Sequence, residues 1–398
     1  MTTIINADNG VVSGSAGLKT SADSTGILEL QTNSTTAVTV STGQDVSFTK
    51  TVNTPNTFSF KNRIINGDMR IDQRAVGVET RGTATSGATY TVDRWYTIKN
   101  GAGQAFTVQK SSDVPANQIF KNSVLITITE TDSVISTGEY NVFGQNIEGL
   151  NISDLLWGTA NAKAITLSFW VKSSLTGTFA VVLGAQGTNV YPASFTINTA
   201  NTWEYKSITI PGPTSGTFPV DNTSAIQVRY DLGIGSQYSA PLNAWISGGN
   251  YFGGTGAVKL SATNGATFQV TGVQFEIGNQ ATSFDVRSYG TELALCQRYY
   301  NKLELTKTLV YATTTTYAQG NYRLPVTMRA APTSIATNAT NMNELYVTNI
   351  TGTYVPSSSC DTDSVWVVAT NTGGTAFTAN HQYRFNTPGC SIDFSSEI

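Results

Sequence analysis

The sequence predicts an all-β protein: a β-sandwich or jelly roll preceded by an extended N-terminal β or stem segment, with a smaller C-terminal β domain beyond one short helix. Three observations carry this. Charged residues make up 12% of the chain, about half the roughly 25% usual in soluble proteins, and Thr, Ser, Asn and Gly supply the remaining polarity. Thr suits a half-buried pleated face, while Gly, Asn and Ser suit tight turns. Short alternating apolar–polar runs bounded by such turns recur along the chain, and helix-forming residues gather in one stretch only.

Residues 1–60 hold few aromatics, only Phe48, Phe58 and Phe60. The runs Gly26–Thr32, Ala37–Thr42 and Val46–Lys50 alternate as strands but carry too little apolar surface for a core of their own. They are either a linker or strands that gain burial by pairing with other copies of the chain, and the alternation favours pairing. Residues 61–289 form the sandwich. Its strands are read at Thr107–Lys110, Val124–Thr129, Ile165–Lys172, Thr178–Leu183, Trp203–Ile210, Ala225–Tyr230, Val258–Ala262 and Thr267–Glu276, with no helical period between them. The turn-rich stretch Asp231–Gly256 supplies rim loops.

The stretch 290–303 differs. Good helix formers place Leu293, Cys296, Tyr300 and Leu303 at i, i+3, i+7 and i+10, which predicts a connecting helix of three turns. Residues 304–398 return to strand texture, including Tyr322–Thr327, Glu344–Thr348, Ser364–Ala369 and Gln382–Phe385.

Composition also excludes function classes. The net charge is −3 and no basic run interleaves with aromatics, so no nucleic acid is expected as a partner. No apolar run reaches membrane-spanning length, so no membrane insertion is expected. The N-terminus lacks the basic-then-apolar order of a secretion signal, which fits synthesis in a cytoplasm. A single histidine, His381, argues against Ser–His–Asp or Cys–His catalysis and against a histidine metal site. Cys296, Cys360 and Cys390 are too few for a disulfide framework. They read as buried thiols, with a Cys360–Cys390 bridge as the other reading. Glu139, Glu148, Asp154, Glu204 and Glu276 are isolated carboxylates without the visible pairing of a glycosidase. No β-helix repeat and no GxxxxGK[ST] phosphate loop is present. No catalytic residues, cofactor or enzyme activity are expected.

Two motifs bracket the middle module. The first is Asn62-Arg-Ile-Ile-Asn-Gly-Asp-Met-Arg-Ile-Asp-Gln-Arg, followed by Tyr90-Thr-Val-Asp-Arg-Trp-Tyr. The second joins Thr267-Phe-Gln-Val-Thr-Gly-Val-Gln-Phe-Glu-Ile-Gly to Ala281-Thr-Ser-Phe-Asp-Val-Arg-Ser-Tyr-Gly. Together with the later Leu324-Pro-Val-Thr-Met-Arg-Ala-Ala-Pro-Thr run, this order resembles a module common in phage structural and tail-fibre proteins. The resemblance implies a fibre-type virion protein presenting a jelly roll to host-surface glycan, made in the host cytoplasm and docked to other virion subunits through residues 1–60. A homo-oligomer, best a trimer, is the expected assembly. The alternative is a capsid head fibre, decoration or tail-assembly protein that binds no glycan.

Gly144-Gln-Asn-Ile-Glu-Gly, Leu167-Ser-Phe-Trp-Val-Lys-Ser and Trp203-Glu-Tyr also resemble the strands of carbohydrate-binding jelly rolls. Such modules often hold a structural calcium. Asp68 matches the acidic residue near their first strand, but Thr271-Gly272 stands where they carry carboxylates, so no metal is expected. Sugar faces stack on flat rings as other apolar groups do. Alternation puts Trp170 opposite Leu167, Phe169 and Val171, either as a ligand platform or under a covering loop or second subunit. Trp95 reads as a core anchor. Tyr238, Trp245, Tyr251 and Phe252 on the rim either contact a receptor or pin their own loops. The expected ligand-binding residues are these four and Trp170.

Overall fold

A computed structural model describes residues 16–20, 28–32, 35–40, 46–48, 60–74, 77–82, 85–101, 103–131, 134–185, 187–336, 339–344, 349–385 and 390–398. The fold is all-β. Two antiparallel sheets face each other in the middle module. A seven-stranded sheet runs, edge to edge, Ile246–Ser247, Asn189–Ile197, Gly177–Ala185, Ser224–Ile234, Tyr140–Glu148, Tyr96–Asn100 and Ser86–Tyr90. A six-stranded sheet runs Glu204–Ile210, Ile165–Ser173, Thr267–Ile277, Ser123–Glu130, Ala105–Ser111 and Glu79–Arg81.

Alternation sorts side chains between core and outer face. Ile165, Leu167, Phe169 and Val171 point between the sheets and meet Phe179, Tyr230 and Phe268 from other strands. Each such side chain contributes about 1.5–3 kcal/mol by leaving water. Trp95 is fully buried in this core, stacked on Phe143 at 5.1 Å, with its indole N–H donated to the Asn66 carbonyl at 2.9 Å.

The polar residues of the opening motif turn out to be internal fasteners. Asn62 Oδ1 accepts from the backbone N–H of Ile64 and Phe275, and its Nδ2 donates to Val273 O. Asn66 Nδ2 donates to Ile71 O and Asp93 O. The middle module's opening segment is thereby stitched to the Thr267–Ile277 strand, more than 200 residues away in sequence.

The helix spans Tyr289–Gln297, and Ser288 caps it by accepting from Thr291 N at 3.3 Å. This corrects the helix expected through residue 303. Residues Tyr300–Glu304 instead form a strand paired with Ser391–Ser395. Backbone pairing across the sheet outweighs the helical spacing of Tyr300 and Leu303. Val258–Ala262, expected as a strand, holds instead a short 3-10 turn at Leu260–Ala262.

The C-terminal module is a closed barrel of Leu309–Ala312, Tyr317–Arg323, Ser364–Gly374, Asn349–Cys360, Ala339–Glu344 and Gln382–Phe385 beside a three-stranded sheet. Val310, Val365, Val367, Tyr383 and Phe385 fill its core. The three cysteines are thiols; Cys296 and Cys390 are buried and Cys360 is half-buried. His381 is exposed at a turn. The final residues fold back onto the sandwich, where Glu397 pairs with Arg94 and Arg74.

Near the N-terminus, Ala16–Thr20, Leu28–Thr32, Thr35–Val40 and Val46–Phe48 form a four-stranded antiparallel meander. These strands pair with one another within one chain.

Candidate functional site

The outer face of the six-stranded sheet carries a cleft of about 480 Å³. Its floor follows from strand register. Trp170 pairs with Tyr205 on one side and Thr271 on the other, so the Trp170 and Tyr205 rings lie on the same outward face. Their centroids are 5.5 Å apart at 52°. Tyr205 is 45% exposed and Trp170 half-buried. Burial raises the Tyr205 hydroxyl pKa, while its hydrogen bond with Ser168 opposes the rise.

A bulge shapes the floor. Register slips between Ser168 and Trp170 opposite Gly272, whose φ is +62°. A Cβ there would lie 2.5 Å from Phe120 Cζ. Glycine lets the Phe120 ring sit down on the strand, edge-on to Phe284 at 5.1 Å. Phe120 and Ile119 form one wall, and Thr282, Ser283, Phe284 and Val286 the other. Ile119 and Val286 leave their apolar side chains exposed. Gly272→Ala is therefore expected to cost about 1–3 kcal/mol from positive-φ strain and to push Phe120 off the floor. Thermal unfolding of the variant, together with its intrinsic Trp fluorescence, checks both effects; an unshifted midpoint would mean that the positive φ costs alanine nothing there, and unchanged fluorescence that Phe120 keeps its place.

Polar groups around the rings are partly committed. Glu276 accepts from Thr282 N at 2.8 Å, Thr282 Oγ1 at 2.6 Å and Gln274 Nε2 at 2.7 Å. Asp113, beyond Trp170 on the same face, takes Lys172 Nζ at 2.6 Å and Trp203 Nε1 at 3.1 Å. Burial raises its pKa, but these donors prevail and hold it below the usual carboxylate value.

The rim aromatics lie elsewhere. Tyr238 and Phe252 pack with Tyr140 at 5.1 and 4.5 Å, and the Arg229 guanidinium sits 5.1 Å from the Phe252 ring. Trp245 packs edge-on to Trp157 and Tyr191, both at 5.4 Å, and donates its N–H to Pro211 O at 2.7 Å. Tyr251 is half-buried over Gly249, where a Cβ would strike its ring. These contacts hold the 235–256 loop across the outward side of the seven-stranded sheet. Only Trp170 of the expected residues lines the cleft. Tyr205, Phe120 and Phe284 went unassigned, although the alternation of Trp203-Glu-Tyr-Lys already placed Tyr205 on a face opposite Glu204 and Lys206.

The isolated carboxylates are each held by neighbours. Glu148 accepts from Arg298 and Tyr299, Asp154 from Arg63 at 2.7 Å, and Glu139 from Ser136 N at 2.8 Å. Burial raises Glu204, but Lys206 and the backbone N–H groups of Thr199 and Asn198 bring it down to about 2. The calcium place does not fit a metal. Asp68 pairs with Arg70 at 3.1 Å, Thr271 Oγ1 donates to Asn122 O, and the space beside Gly272 holds Phe120.

No family model matches the chain, and no curated protein matches it. Among solved structures it is similar to the enzymatically active domain of bacteriophage CBA120 tailspike protein 4, at 15% identity over 55% of this chain and 22% of that one, with a TM-score of 0.29. It is also similar to the family 11 carbohydrate-binding module from Clostridium thermocellum in complex with a mixed-linked tetrasaccharide, at 14% identity over 52% of this chain and 99% of the module, with a TM-score of 0.25. A third is the CBM22-1 xylan-binding domain from Paenibacillus barcinonensis, at 9% identity over 55% of this chain and 96% of the domain, with a TM-score of 0.23. The chain thus spans 22% of the tailspike domain's length. These scores lie well below 0.5, so the likenesses assign neither ligand nor activity.

Proposed function

We propose that the chain is a non-enzymatic, fibre-type subunit of a phage particle that binds host-surface glycan in the Trp170–Tyr205 cleft. One observation carries the glycan reading. Trp170 presents a half-exposed ring next to Tyr205, in a cleft edged by Gln118, Ser168, Thr282 and Ser283. Flat rings take the C–H faces of a sugar while hydroxyl and amide groups take its hydroxyls. The prior engagement of Glu139, Glu148, Asp154, Glu204 and Glu276 supports binding rather than hydrolysis. The motif order at Asn62–Arg74 and Thr267–Gly290 supports the phage assignment. On this reading residues 1–60 dock to other virion subunits and three copies make the fibre.

The full-length chain on an array of bacterial surface polysaccharides is expected to bind. Trp170→Ala and the milder Tyr205→Ala are each expected to weaken that binding about tenfold or more, since 1.4 kcal/mol of lost contact is a factor of ten. Silence across the array would leave the rival reading, a decoration or assembly subunit that binds only virion proteins. Light scattering checks the assembly: a single-copy mass for the full chain would sink the trimer.

A further inference from the structure

The chain has six tryptophans. Four donate the indole N–H to a protein acceptor: Trp95 to Asn66 O, Trp157 to Lys163 O, Trp203 to Asp113 and Trp245 to Pro211 O. Trp170 and Trp366 have no such acceptor among the described residues. Trp366, 46% exposed, lies on the outer face of the C-terminal barrel and not in the cleft described above.

Its surroundings follow from the barrel's register. Trp366 pairs with Asn321 and Val368 with Gln319, while Gln319 pairs on its other side with Tyr311. Val365, Val367 and Ala369 point inward, so Trp366 and its cross-strand neighbours point out. Asn321 and Gln319 are exposed, and Tyr311 and Tyr317 are 43% and 49% exposed. Rings and the exposed Leu309 are therefore interspersed with amides, which donate and accept at once. A protein-docking patch would be more continuously apolar at its centre.

Charge identifies the ligand further. The strands Leu309–Ala312, Tyr317–Arg323, Ser364–Gly374 and Gln382–Phe385 contain no Asp or Glu, and the barrel strand beyond Gln382–Phe385 carries one acid, Glu344, in register with Tyr383. They contain Arg323 and Arg384, both exposed at the margins of the ring-and-amide face, and neither makes an ion pair among the described residues. The nearest acidic residues along the chain, Asp361 and Asp363, lie in the turn before Ser364. Arginine forks match carboxylates in two-point geometry.

We infer that this barrel face is a second glycan site, specific for an acidic polysaccharide, with Trp366 as stacking platform, Gln319 and Asn321 on sugar hydroxyls, and Arg323 and Arg384 on sugar carboxylates. It extends the glycan-binding reading to a separate surface, and the test separates the two.

The full chain, Trp366→Ala, Arg323→Gln/Arg384→Gln and Trp170→Ala are compared on an array of uronate-bearing and neutral bacterial polysaccharides, with masses followed by light scattering. The expected result is binding to uronate-bearing polysaccharide that weakens with added salt. Trp366→Ala and the double arginine variant should each reduce it about tenfold or more, at unchanged mass. Because all three side chains are exposed, folding is expected to survive, and the arginine pair tests the site without touching the ring. Unchanged binding in both variants overturns the inference; if Trp170→Ala alone weakens binding, the cleft stands without it. Loss of oligomer mass in Trp366→Ala overturns it in favour of a contact between copies. Binding lost in Trp366→Ala but kept in Trp170→Ala supports it and removes the cleft reading. An array silent for every polysaccharide overturns both.

Discussion

Replacing Arg94 with Met is expected to lower stability by about 3–5 kcal/mol, the cost of stranding one partner of a buried ion pair. Arg94 is 1% exposed and Glu397 5%. The guanidinium sits 3.5 Å from the Tyr299 ring and donates to Asn146 O at 2.6 Å. Removing it leaves the Glu397 carboxylate buried, with Arg74 at 3.3 Å as its remaining cation. Arg74 already serves Asp93 at 3.4 Å, so its relief is partial. Urea unfolding measures the loss, and an unchanged slope would show that the denatured state is not altered. The double variant Arg94→Met/Glu397→Gln is expected to recover much of the loss, because neither charge is then left alone. The network also ties residues 394–398 to the sandwich, so both modules are expected to unfold in one transition. Two separated transitions in the unaltered chain, or a cost under about 1 kcal/mol, would show that the pair does not bind the modules together.

That network marks how far the sequence could be read. Strand alternation was visible in Ile165–Lys172 because its core and outer faces differ sharply, and the same alternation put Trp170 outside. Arg94 and Glu397 stand 303 positions apart, and nothing local marks them as partners. The helix ends at Gln297 for a related reason. Tyr300 and Leu303 keep a helical spacing, but the backbone N–H and C=O groups there pair with Ser391–Ser395, a strand whose approach only the tertiary fold decides. The cleft shows the same division. Trp170 could be read from its strand, whereas Phe120 and Phe284 reach the site from loops over a bulge at Gly272. Loop rings that read alike in sequence can contact a partner or pack on each other, and Tyr140, Tyr238 and Phe252 do pack together.

The loop over the seven-stranded sheet rests on a carboxylate whose protonation is expected to make stability fall as pH rises. Asp231 Oδ1 accepts from Gly233 N at 2.9 Å and Oδ2 from Gly254 N at 3.2 Å, tying the sheet to the covering segment. Gly253 has no side chain because a Cβ would strike this carboxylate. Burial pushes the Asp231 pKa up from 3.8 to about 7, against the pull of those N–H groups and Lys259. The folded state then holds a proton that the unfolded chain releases near 3.8, so the stability this proton confers is complete below about pH 4 and is lost as pH rises through 7. About three units correspond to a loss on the order of 4 kcal/mol. Asp93, pushed by burial to about 6, acts in the same direction over a narrower window. Glu204, held near 2, acts oppositely, its contribution fading only as pH falls below about 4.5. Comparing the chain with Asp231→Asn isolates the term. Asn cannot accept from Gly254 N–H through its amide nitrogen, which subtracts a constant of about 1–3 kcal/mol at every pH. The difference between the two unfolding free energies is therefore expected to change by several kcal/mol between pH 4 and pH 8, with the natural chain losing the more. Parallel curves would mean that water reaches Asp231 beneath the loop and keeps its carboxyl near the ordinary value.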